Sequence, residues 1–114
     1  MTFASGLQLA QSRPANTSTA TAFTATKQTE ITRIIIANTT ASATTFSLYH
    51  DDDGSTYDQT TAVVYSAALA ANTTQFIDGF GAGGGLMIKK DGTLGIQSGT
   101  SSACTFTIYG VTAI

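Results

Sequence analysis

Tryptophan is absent from this 114-residue chain, cysteine, proline and histidine occur once each, and only 11% of residues are charged. Each scarcity closes a class of explanation. One cysteine, Cys104, cannot form an internal disulfide, and together with one histidine, His50, it falls short of a zinc ligand set. A single histidine with no serine or cysteine in a recognisable arrangement is no catalytic signature. The five basic residues, Arg13, Lys27, Arg33, Lys89 and Lys90, are scattered, and with a net charge of -2 they offer no footprint for nucleic acid. No apolar run approaches the roughly 18 residues of a membrane span. The opening MTFASGLQLA has neither a basic region nor a sustained apolar core. It does not read as a signal peptide, so synthesis in the cytoplasm is expected, with any external role reached by assembly or lysis.

What is present points to strands. Apolar residues make up 42% of the chain and threonine about a fifth of it, which supplies β-branched side chains whose hydroxyls face water without a charge. The length suits one domain with one two-layer core. Alternation with a period of two recurs and helical periodicity does not. In residues 103 to 111, Cys104, Phe106 and Ile108 oppose Thr105, Thr107 and Tyr109, so Cys104 reads as a buried small hydrophobe. The run Ile34 to Ala37 is apolar on both faces, which predicts a central strand or one whose outer face is covered by a neighbour.

Strands are predicted near 19–27, 30–38, 44–50, 60–66, 73–78, 85–90, 93–98 and 103–111, with YSAALAAN at 65–72 a strand end passing into a turn. The fold class is therefore all-β: a single antiparallel sandwich, jelly-roll-like, of about eight short strands over residues 19–114. Residues 1–18 are expected to be an extended N-terminal arm, ordered against a neighbouring subunit.

Chemistry concentrates in YHDDDGSTYD, residues 49–58, which holds four of the seven acids. Asp51, Asp53, Ser55 and Asp58 with an intervening glycine are the weak candidates for a calcium site. The spacing departs from a helix-flanked calcium loop, because the glycine comes too early and the twelfth position falls on Ala62. A solvated acidic loop projecting from one end of the sandwich is the leading reading. Pairing Asp51 or Asp53 with Asp58 for glycoside cleavage would need two fixed environments that a flexible loop does not give.

GFGAGGG at 79–85 lacks the GK[ST] ending of a phosphate cradle and reads as a loop. KKDGT at 89–93 reads as a hairpin end with Asp91 and Gly92 as its turn residues. ANT recurs at 15–17, 37–39 and 71–73, as turn-to-strand junctions that organise the fold. No catalytic residue, cofactor site or committed metal site emerges.

The segments ITRIIIANTTASATTFSLYHDDDGSTYD, SAALAANTTQFIDGF, DGTLGIQSG and CTFTIYGV, over about residues 30–112, resemble small β-sandwich virion proteins of tailed bacteriophages. The resemblance implies a non-enzymatic structural protein of the virion, a head decoration or cement protein or a neck, tail or fibre-associated module. It carries over no site residue. The implied partners are copies of the chain itself, with a trimer favoured, and the major capsid protein or neck and tail proteins. The alternative from another class is a carbohydrate or cell-surface binding module, which would need several of Tyr49, Tyr57, Tyr65 and Tyr109 to converge on one face.

Overall fold

A computed structural model of the chain describes residues 7–78 and 85–113. Among them are nine strands and no helix: β1 (Leu7–Ser12), β2 (Ala20–Thr24), β3 (Thr29–Asn38), β4 (Thr44–Asp51), β5 (Ala62–Leu69), β6 (Thr74–Asp78), β7 (Leu86–Ile88), β8 (Thr93–Ser98) and β9 (Cys104–Thr112). One sheet runs β1-β9-β3-β6, with β7 also paired to β3, and the other runs β2-β8-β4-β5. Every pairing is antiparallel. The chain passes from sheet to sheet along most of its length, and the four-on-four interleaved order is that of a jelly roll.

Two features of this order were not expected. Leu7–Ser12, within the stretch read as an arm, is the edge strand β1, hydrogen-bonded to β9 of the same chain with Gln11 opposite Thr107. Its side chains are mostly exposed or half-exposed, so it lacks the clean apolar alternation that marks β9. Second, β6 and β7 lie along the same edge of β3, Asp78 opposite Arg33 and Leu86 opposite Ile31. They are two halves of one interrupted edge strand. The glycine-rich segment falls in that interruption, and all of it except Gly85 lies outside the described residues.

The KKDGT segment is a turn but not a hairpin, since it links β7 in one sheet to β8 in the other. The Gly92 amide donates to the Lys89 carbonyl at 2.9 Å, which makes Lys90 and Asp91 the central residues, with Asp91 at φ 71°. Gly92 is fixed by crowding: a β-carbon there would come within 2.8 Å of Ile88 Cγ2.

Alternation places the core between the sheets. Ile31, Ile34, Ile36, Ile88, Phe106 and Ile108 from one face meet Phe46, Leu48, Leu69, Leu94 and Ile96 from the other, all buried. Phe46 and Phe106 meet edge to face across the gap, centroids 6.5 Å apart. Cys104 is fully buried beside them, and that burial raises its thiol pKa, which leaves it packing rather than reacting.

One end of the sandwich is tied by the repeated ANTT segments. Asn38 is buried and its amide donates to the carbonyls of Ser42 (2.8 Å), Ala70 (3.1 Å) and Leu69 (3.3 Å), while its oxygen accepts the Thr40 amide (3.0 Å) and hydroxyl (2.8 Å). Asn72 takes φ 54° and donates its amide to the Thr40 carbonyl at 3.0 Å, so the second and third repeats dock on each other. Both are turn junctions as predicted, and their mutual docking is visible only in three dimensions.

Replacing Asn38 with alanine strands the buried Leu69 carbonyl and removes the tie to those of Ser42 and Ala70, and is expected to cost about 1–3 kcal/mol, measured as a lower urea midpoint with an unchanged slope. Asn72→Gly serves as the contrast, since glycine adopts positive φ freely and should stay within about 0.5 kcal/mol of wild type.

Candidate functional site

The acidic segment does not project from the end of the sandwich. It folds back over the outer face of the β2-β8-β4-β5 sheet. Its pivot is Asp51, mostly buried, whose carboxylate accepts the backbone amides of Thr56 (2.9 Å) and Asp53 (3.2 Å). From the sheet below, the Thr93 hydroxyl reaches the carbonyls of Gly54 (2.8 Å) and Asp51 (3.2 Å). The returning chain then lays Tyr57 on the sheet at the one position with no side chain: a β-carbon on Gly95 would come within 2.6 Å of the Tyr57 ring. The Tyr57 and Thr21 hydroxyls share a hydrogen bond at 2.6 Å, and the ring lies 5.8 Å from that of Tyr49. A glycine well downstream of the loop therefore decides where the loop goes.

The four weak metal candidates are occupied differently from a calcium loop. Asp51 is turned to the two loop amides, and Asp58 accepts the Thr60 amide (2.8 Å) and hydroxyl (2.5 Å) through one oxygen, Oδ1. Asp53 and Ser55 are exposed. Among the described residues, no three His, Cys, Asp or Glu side chains form a cluster that could hold a metal ion. His50 lies on the same strand face as Phe46 and Leu48, and its Nε2 is 2.6 Å from Asp52 Oδ1. The Thr56 amide is the main influence holding the Asp51 carboxyl below its ordinary value, and the Thr60 hydroxyl does the same for Asp58.

Three of the four tyrosines converge here. Beside Tyr49 and Tyr57 stands Tyr65, 53% exposed, at a bulge where the register of β4 against β5 shifts between Phe46 and Leu48. Ser66 takes φ 49° there and its amide donates to Ser47 Oγ at 2.9 Å. Bulges redirect a side chain at the expense of ladder pairing, and this one accompanies the turn of Tyr65 toward its two neighbours. Together the rings border a cleft of about 490 Å³ that also takes in Asp58, Thr60 and Gln97.

Tyr109 lies on the opposite side of the molecule, on the outer face of the β1-β9-β3-β6 sheet. That face is built in rungs: Tyr109, Arg33 and Asp78; Thr107, Ile35 and Phe76; Val111, Glu30 and Met87. Phe76 is 52% exposed and Met87 48%. Arg33 pairs with Asp78 at 3.0 Å and its guanidinium lies 5.5 Å from the Phe76 ring centroid. Sequence alternation marks Ile35 as facing outward, but the lateral neighbours that make it a patch come from strands far along the chain.

No protein-family model matches the chain, and no curated protein matches it. Among solved structures, a chain in the structure of infectious bursal disease virus, Gx strain, is similar with a TM-score of 0.47 and 15% identity, over 91% of this chain and 32% of that one. This chain thus spans about a third of the viral chain's length, and at so loose a likeness the jelly-roll assignment rests on strand order alone.

Two measurements check the folded-back loop. Gly95→Ala is expected to push Tyr57 off the sheet and to destabilise by about 1–3 kcal/mol, as overpacking does. Because both carboxyls are depressed in the folded state, their support is complete above the ordinary value of 3.8 and is lost as pH falls through their lower folded values. In an NMR pH titration, the amides of Thr56 and Thr60 should therefore move with midpoints below 3.8; midpoints at or above it would contradict the geometry.

Proposed function

We propose that the chain is a non-enzymatic structural protein of a bacteriophage virion, a decoration or cement subunit that assembles with copies of itself on the particle exterior. The observation that carries this reading is the outer face of the β1-β9-β3-β6 sheet, where Ile35, Phe76, Tyr109, Val111 and Met87 surround an ion pair that neutralises itself. An apolar face of this kind fits a protein partner. Because Arg33 and Asp78 satisfy each other, the three rungs carry only the net charge of Glu30, so a second copy of this chain meets little like charge on an identical face.

A closed ring, with a trimer favoured, would also cover strand edges that an isolated sandwich leaves open, at β1 and at β6 with β7 in one sheet and at β2 and β5 in the other. The threonine-rich strands and low charge supply surfaces that pack repeatedly without stranding unpaired charges. The resemblance of the strand and turn sequences to tailed-phage virion proteins supports the placement on a particle. Within it, neck, tail or fibre attachment is the alternative to the capsid, with the major capsid protein or neck and tail proteins as the further partners.

Size-exclusion chromatography with light scattering tests the association. The wild-type chain should run as a discrete oligomer of its 11.7 kDa subunit, and Phe76→Asp, placing a charge in a half-exposed position, should release folded monomer. A wild-type chain that stays monomeric at all concentrations, or a Phe76→Asp variant with unchanged mass, would overturn the self-association.

A further inference from the structure

The tyrosine cleft lies on the sheet face opposite the proposed assembly surface, so an oligomer built through Phe76 leaves it open. Its walls are fixed before any ligand arrives. Tyr49 forms the floor, only 2% exposed, with its hydroxyl donating to Gln97 Oε1 at 2.6 Å. The Gln97 amide in turn donates to the Thr17 carbonyl at 3.0 Å. Tyr57 is held by Thr21 on one side and by the bare backbone of Gly95 beneath. Against this rigid wall, Tyr65 stands half-exposed at its bulge, a large ring presented to solvent next to a positive-φ serine. Strain and exposure coincide at one point, where neither serves the core.

The polar groups around the rings have one character. Asp58 receives both Thr60 hydrogen bonds on Oδ1, so Oδ2 keeps its capacity to accept. Thr60 and Gln97 add hydroxyl and amide functions, and among the described residues neither lysine nor arginine lines the cleft. Flat aromatic faces beside carboxylate, amide and hydroxyl groups complement a ring that has an apolar C–H face and a rim of hydroxyls. The absence of cationic lining argues against an anionic ligand. A volume of about 490 Å³ falls inside the roughly 300–1,000 Å³ of small-ligand sites.

We propose that this cleft binds an uncharged saccharide, with a pyranose ring packed on Tyr65 and its hydroxyls hydrogen-bonded to Asp58. A pre-formed wall lowers the ordering cost of such a contact. The proposal does not depend on the virion reading: the site would bind sugar whether the chain is monomeric or assembled, and Tyr109, alone on the other sheet, has no part in it.

The test is an NMR titration of the isotopically labelled full chain with the methyl glycosides of glucose, galactose, mannose and N-acetylglucosamine, and with N-acetylneuraminic acid as the anionic arm. At least one uncharged glycoside should saturably shift the amides of Asp58, Thr60, Tyr65 and Gln97, more tightly than the anionic sugar. Tyr65→Ala, at an exposed position that leaves the core intact, should weaken that binding by about tenfold or more, while Tyr109→Ala should leave it unchanged. No saturable shift with any uncharged glycoside, tighter binding of the anionic sugar, or undiminished binding by Tyr65→Ala would overturn the proposal.

Discussion

A two-sheet sandwich has four faces and can bury only two of them against each other. Here the buried pair is sealed by Ile31, Ile34, Ile36, Phe106 and Ile108 against Phe46, Leu48, Leu94 and Ile96. Everything distinctive about the molecule lies in how the remaining two faces are treated. With 11% charged residues the chain cannot coat them with lysine and glutamate, so threonine hydroxyls serve instead. One outer face is partly roofed by the chain's own acidic loop, and on the other Phe76 and Met87 are half-exposed among the described residues, with Ile35 beside Phe76. The proposed binding cleft and the proposed assembly surface thereby fall on opposite sides of an 11.7 kDa domain.

The acidic loop shows how far a short polar stretch can mislead when its partners are distant. Read locally, three aspartates and a glycine suggest either a cation site or a free tip. In the fold, Asp51 gives its carboxylate to the amides of Thr56 and Asp53, and the loop becomes a scaffold for Tyr57. Its negative charge is thus the means of curling the backbone, and its aromatic residue is what reaches the sheet.

The strands with clean alternation were legible because period-two patterning is local: β3, β4, β8 and β9 stand within a residue or so of their predicted bounds. The strand β1 was not, because a short, only partly buried edge strand such as LQLAQS carries little apolar signal. Asp91 and Gly92 announced a turn, whose central residues are in fact Lys90 and Asp91, yet whether a turn joins paired strands or crosses between sheets depends on pairings formed elsewhere. The tyrosine cluster was equally hidden, since Tyr49, Tyr57 and Tyr65 sit on a strand, a loop and a bulge and meet only because Gly95 leaves room. The double-sided apolar run at Ile34 to Ala37 predicted a central strand, and β3 does lie between β9 on one side and β6 with β7 on the other.

The central claim is that this jelly roll is a repeated component of a particle exterior, with its apolar sheet face turned to neighbouring subunits. Negative-stain imaging of virus particles purified from the source of this chain, labelled with an antibody against it, tests that most directly. The account predicts label at regularly repeated positions on the outside of intact particles. Unlabelled particles, with the chain recovered only free in the lysate, would contradict it.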